Sequence, residues 1–406
     1  MVKNRWMLDA VSRRCRLGLL LGSILLLTTV GTADEPRLQW GIPGESGLKV
    51  SHDFPIAQRP LLVNGEVITM FPSNLMVGTD DRVGKRIWFF PWYERNDSKF
   101  REIEEITVDR SSRWGTRCAS FVATTRGDAV IFVQAPFDRL VALDLTREGA
   151  MKWRAFDVRD SNKPNAPFAL GAPCVLGDSA FCLVASGDRI LLTELDVESG
   201  RLLSSKELGV AESTRNAIRF SPVLIGERLV CPTPADELVC VDLQDRSVAW
   251  RSKHTVSFDQ VFRIKAIDES VVTLCNGTAT CFDATSGLER WSRKDLRLFP
   301  FIPSGDHWCL GTEKTVLSVD TLTGEKRWGT EVDAPDSIVA NGLIAGKLLV
   351  LPTAGNQMLV LNAKTGARIG SHAARVPLGH LFLIGDAIYS FSQNRFDKLA
   401  SPLEHP

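Results

Sequence analysis

An all-β fold, a ring of eight four-stranded blades, is what this sequence predicts, on three observations. One residue signature recurs seven times, successive copies lie 37 to 64 residues apart, and the two chain ends each hold part of one further unit. Internal repeats of that period mark propellers or solenoids. The signature is an acid or Asn, then Gly four or five residues on, then a slot four residues later that usually holds Trp. Its copies are Asp80-Gly84-Trp88, Asp144-Gly149-Trp153, Asp196-Gly200-Ser204, Asp242-Arg246-Trp250, Asp283-Gly287-Trp291, Asp320-Gly324-Trp328 and Asn362-Gly366-Gly370.

Each element of the unit follows from its residue types. In Val316 to Trp328 an alternating strand ends in Asp320, a tight turn follows, and a second strand carries Trp328 on its buried side. Asp or Asn there accepts backbone N–H groups in an Asx-type turn, and Gly supplies the positive φ that closes it. The anchor acids, the anchor Asn and the turn glycines (Asp80, Gly84, Asp144, Gly149, Asp196, Gly200, Asp242, Asp283, Gly287, Asp320, Gly324, Asn362 and Gly366) are therefore expected to build turns and to do no chemistry. Ahead of each anchor lie further apolar runs. Lys347 to Pro352 and Gln357 to Leu361, on either side of Thr353-Ala354-Gly355-Asn356, read as another hairpin. A unit thus supplies four strands, A to D, which is a propeller blade.

The ends decide the blade number. After the last anchor, Gly379 to Gly385, Asp386 to Ser392 and Arg395 to Ala400 supply A, B and C strands without a D. Arg37-Leu38-Gln39-Trp40 resembles the D strands Arg86-Ile87-Trp88 and Lys326-Arg327-Trp328, so the N-terminus is expected to complete the C-terminal blade. The alternative is seven blades with a loose C-terminal hairpin.

Residues 1–33 read as an export signal and 34–406 as a single propeller domain. Lys3, Arg5, Arg13, Arg14 and Arg16 precede an apolar run from Leu17 to Val30, and Gly31-Thr32-Ala33 offers small residues for cleavage. A periplasmic, secreted or cell-envelope location follows, with membrane attachment only through an uncleaved N-terminal segment. The remaining chain holds 43 basic and 47 acidic residues and no basic stripe, which argues against nucleic acid as a partner.

Few residues suggest chemistry. Eight cysteines follow the leader: Cys118, Cys174, Cys182, Cys231, Cys240, Cys275, Cys281 and Cys309. In an exported chain they could form hairpin disulfides, Cys275 with Cys281 or Cys231 with Cys240. Against this, Cys240 and Cys281 stand two residues before an anchor, where other copies hold Gly78, Ala142, Glu194, Ser318 and Val360, a packing slot. His52, His254, His307, His372, His380 and His405 are scattered without ligand spacing. Asn96-Asp97-Ser98 and Asn276-Gly277-Thr278 match a glycosylation triplet, but Asn276-Gly277 reads as a hairpin turn.

The segments LVALDLTREGAMKW, TATCFDATSGLERW, TVLSVDTLTGEKRW and QMLVLNAKTGARIG resemble the quinoprotein-type, or PQQ-like, β-propeller repeat. The resemblance covers roughly residues 37 to 400. Its enzyme branch implies pyrroloquinoline quinone and Ca²⁺ over a central channel, often beneath a pair of adjacent cysteines. This chain has no Cys-Cys dipeptide and no acid and Asn cluster outside the turns, so neither cofactor is expected. The other branch consists of exported scaffold propellers such as BamB, and this chain is more similar to that one. The resemblance implies a non-enzymatic, monomeric binding module with a protein partner in the envelope. The alternatives are a quinone-dependent dehydrogenase or a carbohydrate- or peptide-binding propeller.

Insertions point to the binding surface. Extra length falls in three consecutive D-to-A connections, Tyr93 to Arg117, Asp157 to Leu170 and Leu208 to Arg219. Such connections emerge on one face of a propeller, and loops on a rigid scaffold commonly carry function. The expected face carries Trp92, Tyr93, Arg113, Trp114, Arg117, Phe168, Arg215 and Asn216, a mixture of aromatics and Arg typical of interface hot spots.

Overall fold

The computed structural model describes residues 38–43 and 61–399, apart from 64, 72–74, 92–123, 127, 135–138, 157–166, 172, 211–220, 234–235, 255–261, 298, 313, 333–336 and 393–394. The expected signal peptide therefore lies outside the described residues. Eight antiparallel sheets form, each with a continuous path of four strands. Blades 1 to 7 span 61–91, 124–155, 168–210, 223–253, 262–293, 301–331 and 343–373. Blade 8 contains His380–Ile384, Ala387–Ser392 and Arg395–Leu399, and Leu38–Pro43 pairs with the last of these as its D strand. The ring is closed by the N-terminal strand, and the seven-blade alternative is ruled out. Strands A of neighbouring blades touch one another, which places them innermost, around the central channel.

The turns repeat in atomic detail. Asp320 Oδ1 accepts the N–H groups of Leu322 and Thr323, both at 2.9 Å, while Gly324 N–H donates to Asp320 O at 2.9 Å. Asn362 does the same toward Lys364 and Thr365 at 3.0 Å, and Asp283 toward Thr285 and Ser286 at 2.9 and 2.8 Å. In blade 2 the extra residue before Gly149 is taken up by a short 3₁₀ turn, Leu145–Arg147, followed by Glu148 at φ 52°.

The Trp slot has a purpose that no single copy shows. Trp291 donates its ring N–H to Thr321 O, the residue after the anchor of the next blade, at 2.9 Å. Trp153, Trp250 and Trp328 donate in the same way to Val197, Ala284 and Ala363 at 2.8, 2.9 and 3.1 Å. Each ring also lies flat against the next blade's turn glycine. A Cβ on Gly200, Gly287 or Gly324 would sit 2.5 Å from the ring of Trp153, Trp250 or Trp291. Gly is thus needed twice, for its positive φ and for the missing side chain. Opposite each Trp, across the C–D pair, stands the packing slot: Ala142, Cys240, Cys281 and Ser318 face Trp153, Trp250, Trp291 and Trp328.

Exceptions to the signature therefore come in pairs. Ser204 replaces Trp in blade 3, and Arg246 replaces the glycine it would have covered in blade 4. Gly370 replaces Trp in blade 7, and the blade that follows has no C–D turn for a ring to cover, because its D strand arrives from the N-terminus.

Cys15 and Cys118 lie outside the described residues; the described cysteines are free thiols, and all but the half-buried Cys174 are buried. The hairpin registers pair Cys275 with Thr278 and Val272 with Cys281, and Val230 with Cys240 and Cys231 with Val239, so the suggested disulfide partners do not face each other. Asn276 and Gly277 both have positive φ, 51° and 71°, and make the hairpin turn.

Candidate functional site

Of the eight residues of the expected binding face, Trp92, Tyr93, Arg113, Trp114, Arg117, Arg215 and Asn216 lie outside the described residues. Phe168 is described, and it is a strand residue. It pairs with Ala185 and packs, half-buried, against the apolar core shared by blades 3 and 4. Two of the three connections are also shorter than expected. Strand pairing resumes at Phe168–Ala169, and the D strand of blade 3 runs from Leu202 to Val210, through a bulge that turns Leu208 into the core. Backbone pairing on blade 3 has absorbed residues that sequence pattern assigns to loops.

Two seams between blades are polar. At the seam of blades 3 and 4, Glu194 occupies the packing slot with its side chain 8% exposed. It accepts from the hydroxyls of Ser179 and Ser204 at 2.8 and 2.7 Å, and its Oε2 lies 2.9 Å from the Arg246 guanidinium. Arg246 adopts φ 58°, the conformation of the glycine it replaces, and its carbonyl accepts from Lys206. At the closing seam Lys398 fills the packing slot opposite Trp40. Its Nζ donates to Asp81 O at 3.0 Å and to both carboxylate oxygens at 2.9 Å, and Tyr389 donates to the same carboxylate.

An acidic cleft of about 630 Å³ lies between the turns of blades 2 and 3. Asp128, Asp144, Asp178, Asp196 and Glu198 line it, together with Lys152, which is paired to Glu198 at 2.6 Å. It opens on the A–B and C–D side, opposite the expected binding face. Asp144 and Asp196 are already engaged by Thr146 and Ser199, whose hydroxyls and N–H groups hold both carboxyls below their ordinary range.

A second concentration of polar side chains occurs where A strands begin, on the D–A side of the channel. Arg263, at the second position of Phe262–Ile267 in blade 5, is 7% exposed, and its guanidinium lies 4.3 Å from the ring centre of Phe299. Phe299 leads into blade 6 and meets His380 of blade 8 edge to face at 4.8 Å. Lys265 donates to Phe301 O at 3.0 Å. Asn341, leading into blade 7, accepts from Phe301 N–H at 2.9 Å and donates its own N–H to His380 Nδ1 at 3.1 Å. The adjoining Gly342 and Gly379 are forced by packing, because a Cβ on either would meet a B-strand carbonyl oxygen at 1.9 Å. Burial, reinforced by the charges of Arg263 and Lys265, pushes the His380 pKa down to about 3, so the ring is neutral. Scattered spacing hid this cluster in the sequence. Its members are 117 residues apart and meet only because strand starts converge on the ring axis.

Burial holds most of the described thiols in the protonated form. Burial raises Cys174 to about 12, Cys309 to about 12 and Cys281 to about 11. Among the described residues no three His, Cys, Asp or Glu side chains gather as a metal cage. No helix among them is long and apolar enough to cross a membrane.

Eight four-stranded blades, docked by Trp on Gly and closed by an N-terminal strand, define a propeller of the PQQ-like repeat class. The chain belongs to the family described as outer membrane protein assembly factor BamB, whose family model matches residues 98–293 and 234–380. No curated protein matches it by sequence. Among solved structures it is similar to BamB from Moraxella catarrhalis, at 15% identity and TM-score 0.59, covering 90% of this chain and 99% of that one. It is also similar to quinohemoprotein alcohol dehydrogenase from Comamonas testosteroni, at 12% identity and TM-score 0.58, covering 92% and 77%. The computationally designed Ika8 protein matches at 11% identity and TM-score 0.59, covering 88% and 99%. At such identities the likenesses establish the fold alone.

Proposed function

We propose that this chain is an exported, non-enzymatic propeller that binds protein partners as a scaffold in the periplasm or cell envelope. The observation that carries the reading is that the chemically capable residues of the repeat are spent on structure. Anchor carboxylates are occupied by turn N–H groups, Trp rings by the neighbouring blade, and thiols by the core. The family's description as an assembly factor and the basic, then apolar, N-terminal segment support both the role and the location.

Calcium fits poorly with the described channel residues. Ca²⁺ takes carboxylate and carbonyl oxygens, whereas the channel mouth of blades 5 to 8 presents Arg263, Lys265 and a neutral His380. No catalytic step is assigned to this chain.

The binding surface is the D–A face over blades 1 to 4. Crosslinking in native envelopes followed by affinity capture tests it. Wild-type protein is expected to recover a defined partner set that a Trp92→Ala, Arg113→Ala, Trp114→Ala triple variant loses. Equal recovery by the variant would place the surface elsewhere. Adding pyrroloquinoline quinone and Ca²⁺ to purified protein is expected to give no stoichiometric chromophore and no dye reduction with alcohols. A quinone-loaded, alcohol-oxidising protein would overturn the non-enzymatic reading.

A further inference from the structure

In blades 1 to 7 a tight anchor turn joins the C strand to the D strand, whereas the D strand of blade 8, Leu38–Pro43, arrives from the other end of the chain. No turn fastens it. Its hold on the blade is a ladder of five pairs to Arg395–Leu399, interrupted by a bulge between Leu38 and Trp40. Gly41 stands inside that ladder and Pro43 ends it, and both residue types weaken a strand. Chain-terminal segments fray unless they are tied down.

A second set of contacts, independent of that strand, ties blade 8 to blade 1. In four other seams the D-strand Trp donates to the residue after the next blade's anchor. At the closing seam that residue is Asp81, and it accepts from Lys398 of the C strand and Tyr389 of the B strand. Lys398 reaches both the carbonyl and the carboxylate with its side chain only 11% exposed, so water screens the pair poorly. The apolar part of the seam has the same origin. Ile384, Tyr389, Phe391 and Phe396, from the first three strands of blade 8, pack with Val67 and Val77 of blade 1. The Tyr389 ring stacks on Phe396 at 5.4 Å, with Lys398 Nζ 5.7 Å from its centre.

From this division we propose that Leu38–Pro43 is a detachable strap, which leaves and rejoins blade 8 while Asp81, Tyr389 and Lys398 keep the ring closed. Each release uncovers the outer edge of Arg395–Leu399, a row of backbone N–H and C=O groups of the kind that sheets otherwise keep covered. The strap shares no residue with the proposed protein-binding face, so either reading can fail without the other.

Native-state hydrogen exchange on the full protein, combined with amine labelling of Lys398, tests the strap. The amides through which Leu38–Pro43 bonds Arg395–Leu399 are expected to exchange about a hundredfold faster than those of the central strand Glu237–Asp242 in blade 4, at a rate that urea below the unfolding transition leaves unchanged. Lys398 is expected to be labelled only through global unfolding, with its full urea dependence. One shared opening free energy and urea dependence for the strap and Lys398 would show that strap and ring open together, which overturns the proposal. Two variants give an independent readout. Ile42→Pro, which breaks the strap's ladder, is expected to speed exchange of the strap by about tenfold while the urea midpoint barely moves. Lys398→Met, which removes the cation from Asp81 and leaves the strap's backbone intact, is expected to lower the midpoint. A larger fall in Ile42→Pro than in Lys398→Met would place the closure on the strap and refute its detachment.

Discussion

The seam between blades 5 and 6 and the seam between blades 3 and 4 solve one packing problem with opposite chemistry. In the first, Trp291 covers Gly324 and donates to Thr321 O, with Cys281 filling the slot behind it. In the second, Ser204, Glu194 and Arg246 occupy the three equivalent places and hold one another by hydrogen bonds and an ion pair. A ring can thus lose a Trp without losing a seam, provided the glycine beneath it is replaced in the same step. The signature is a relation between blades, not a property of each one.

The apolar seam gives the largest expected effect. Trp291→Ala removes a large, almost fully buried ring and should cost about 3–5 kcal/mol in urea unfolding. Gly324→Ala adds a Cβ at positive φ and 2.5 Å from that ring, so it is also destabilising. In the double variant the two losses should sum to less than their separate values, because the methyl group then enters the space the ring has left. Strict additivity would break the docking relation.

A smaller effect is expected at the polar seam. Glu194→Ala should cost about 1–3 kcal/mol, since it strands two hydroxyls while the half-exposed Arg246 turns to water. A loss as large as that of Trp291→Ala would show that the ion pair is as important to the ring as the aromatic seam, contrary to this comparison.

Acid acts in two separate pH windows, which sharpen the contrast between turn and channel. Asp320 is held at about 2, chiefly by the Arg327 guanidinium, and Asp283 at about 2, where the Ser286 N–H and Arg290 outweigh burial. Both values lie below the ordinary Asp value of about 3.9, so these groups stabilise the native state above that pH, and the contribution fades as pH falls from about 4 toward 2. His380 acts over an earlier window. Its native pKa of about 3 lies below the ordinary 6.5, so the unfolded chain takes up the proton first, and stability declines as pH falls from 6.5 toward 3. Melting temperature against pH should therefore lose its upper limb in His380→Gln and its lower limb in Asp283→Asn with Asp320→Asn.

How much of this was readable in sequence follows from which interactions are local. The anchor turns, the hairpins and the closing strand rest on contacts within a few residues or on a strand motif at the N-terminus, and they lie where spacing put them. The pairing of Ser204 with Arg246 was on the page as two separate defects, and only the ring shows that one faces the other. The convergence of Arg263, Phe299, Asn341 and His380 was invisible, because residues on three or more blades meet only once the channel exists. Phe168 misled for the reverse reason: a two-residue strand carries too little pattern to be told from a loop.

The most direct test of paired seams is to rebuild the apolar one where nature omitted it. Urea unfolding of Ser204→Trp, Arg246→Gly and their combination measures the coupling. The ring should be destabilised by Ser204→Trp alone, where Arg246 blocks the site, and should recover when Arg246→Gly is added, with a favourable coupling of about 1 kcal/mol or more. Equal and additive losses in the three proteins would contradict the claim that each Trp is specified by the glycine of the next blade.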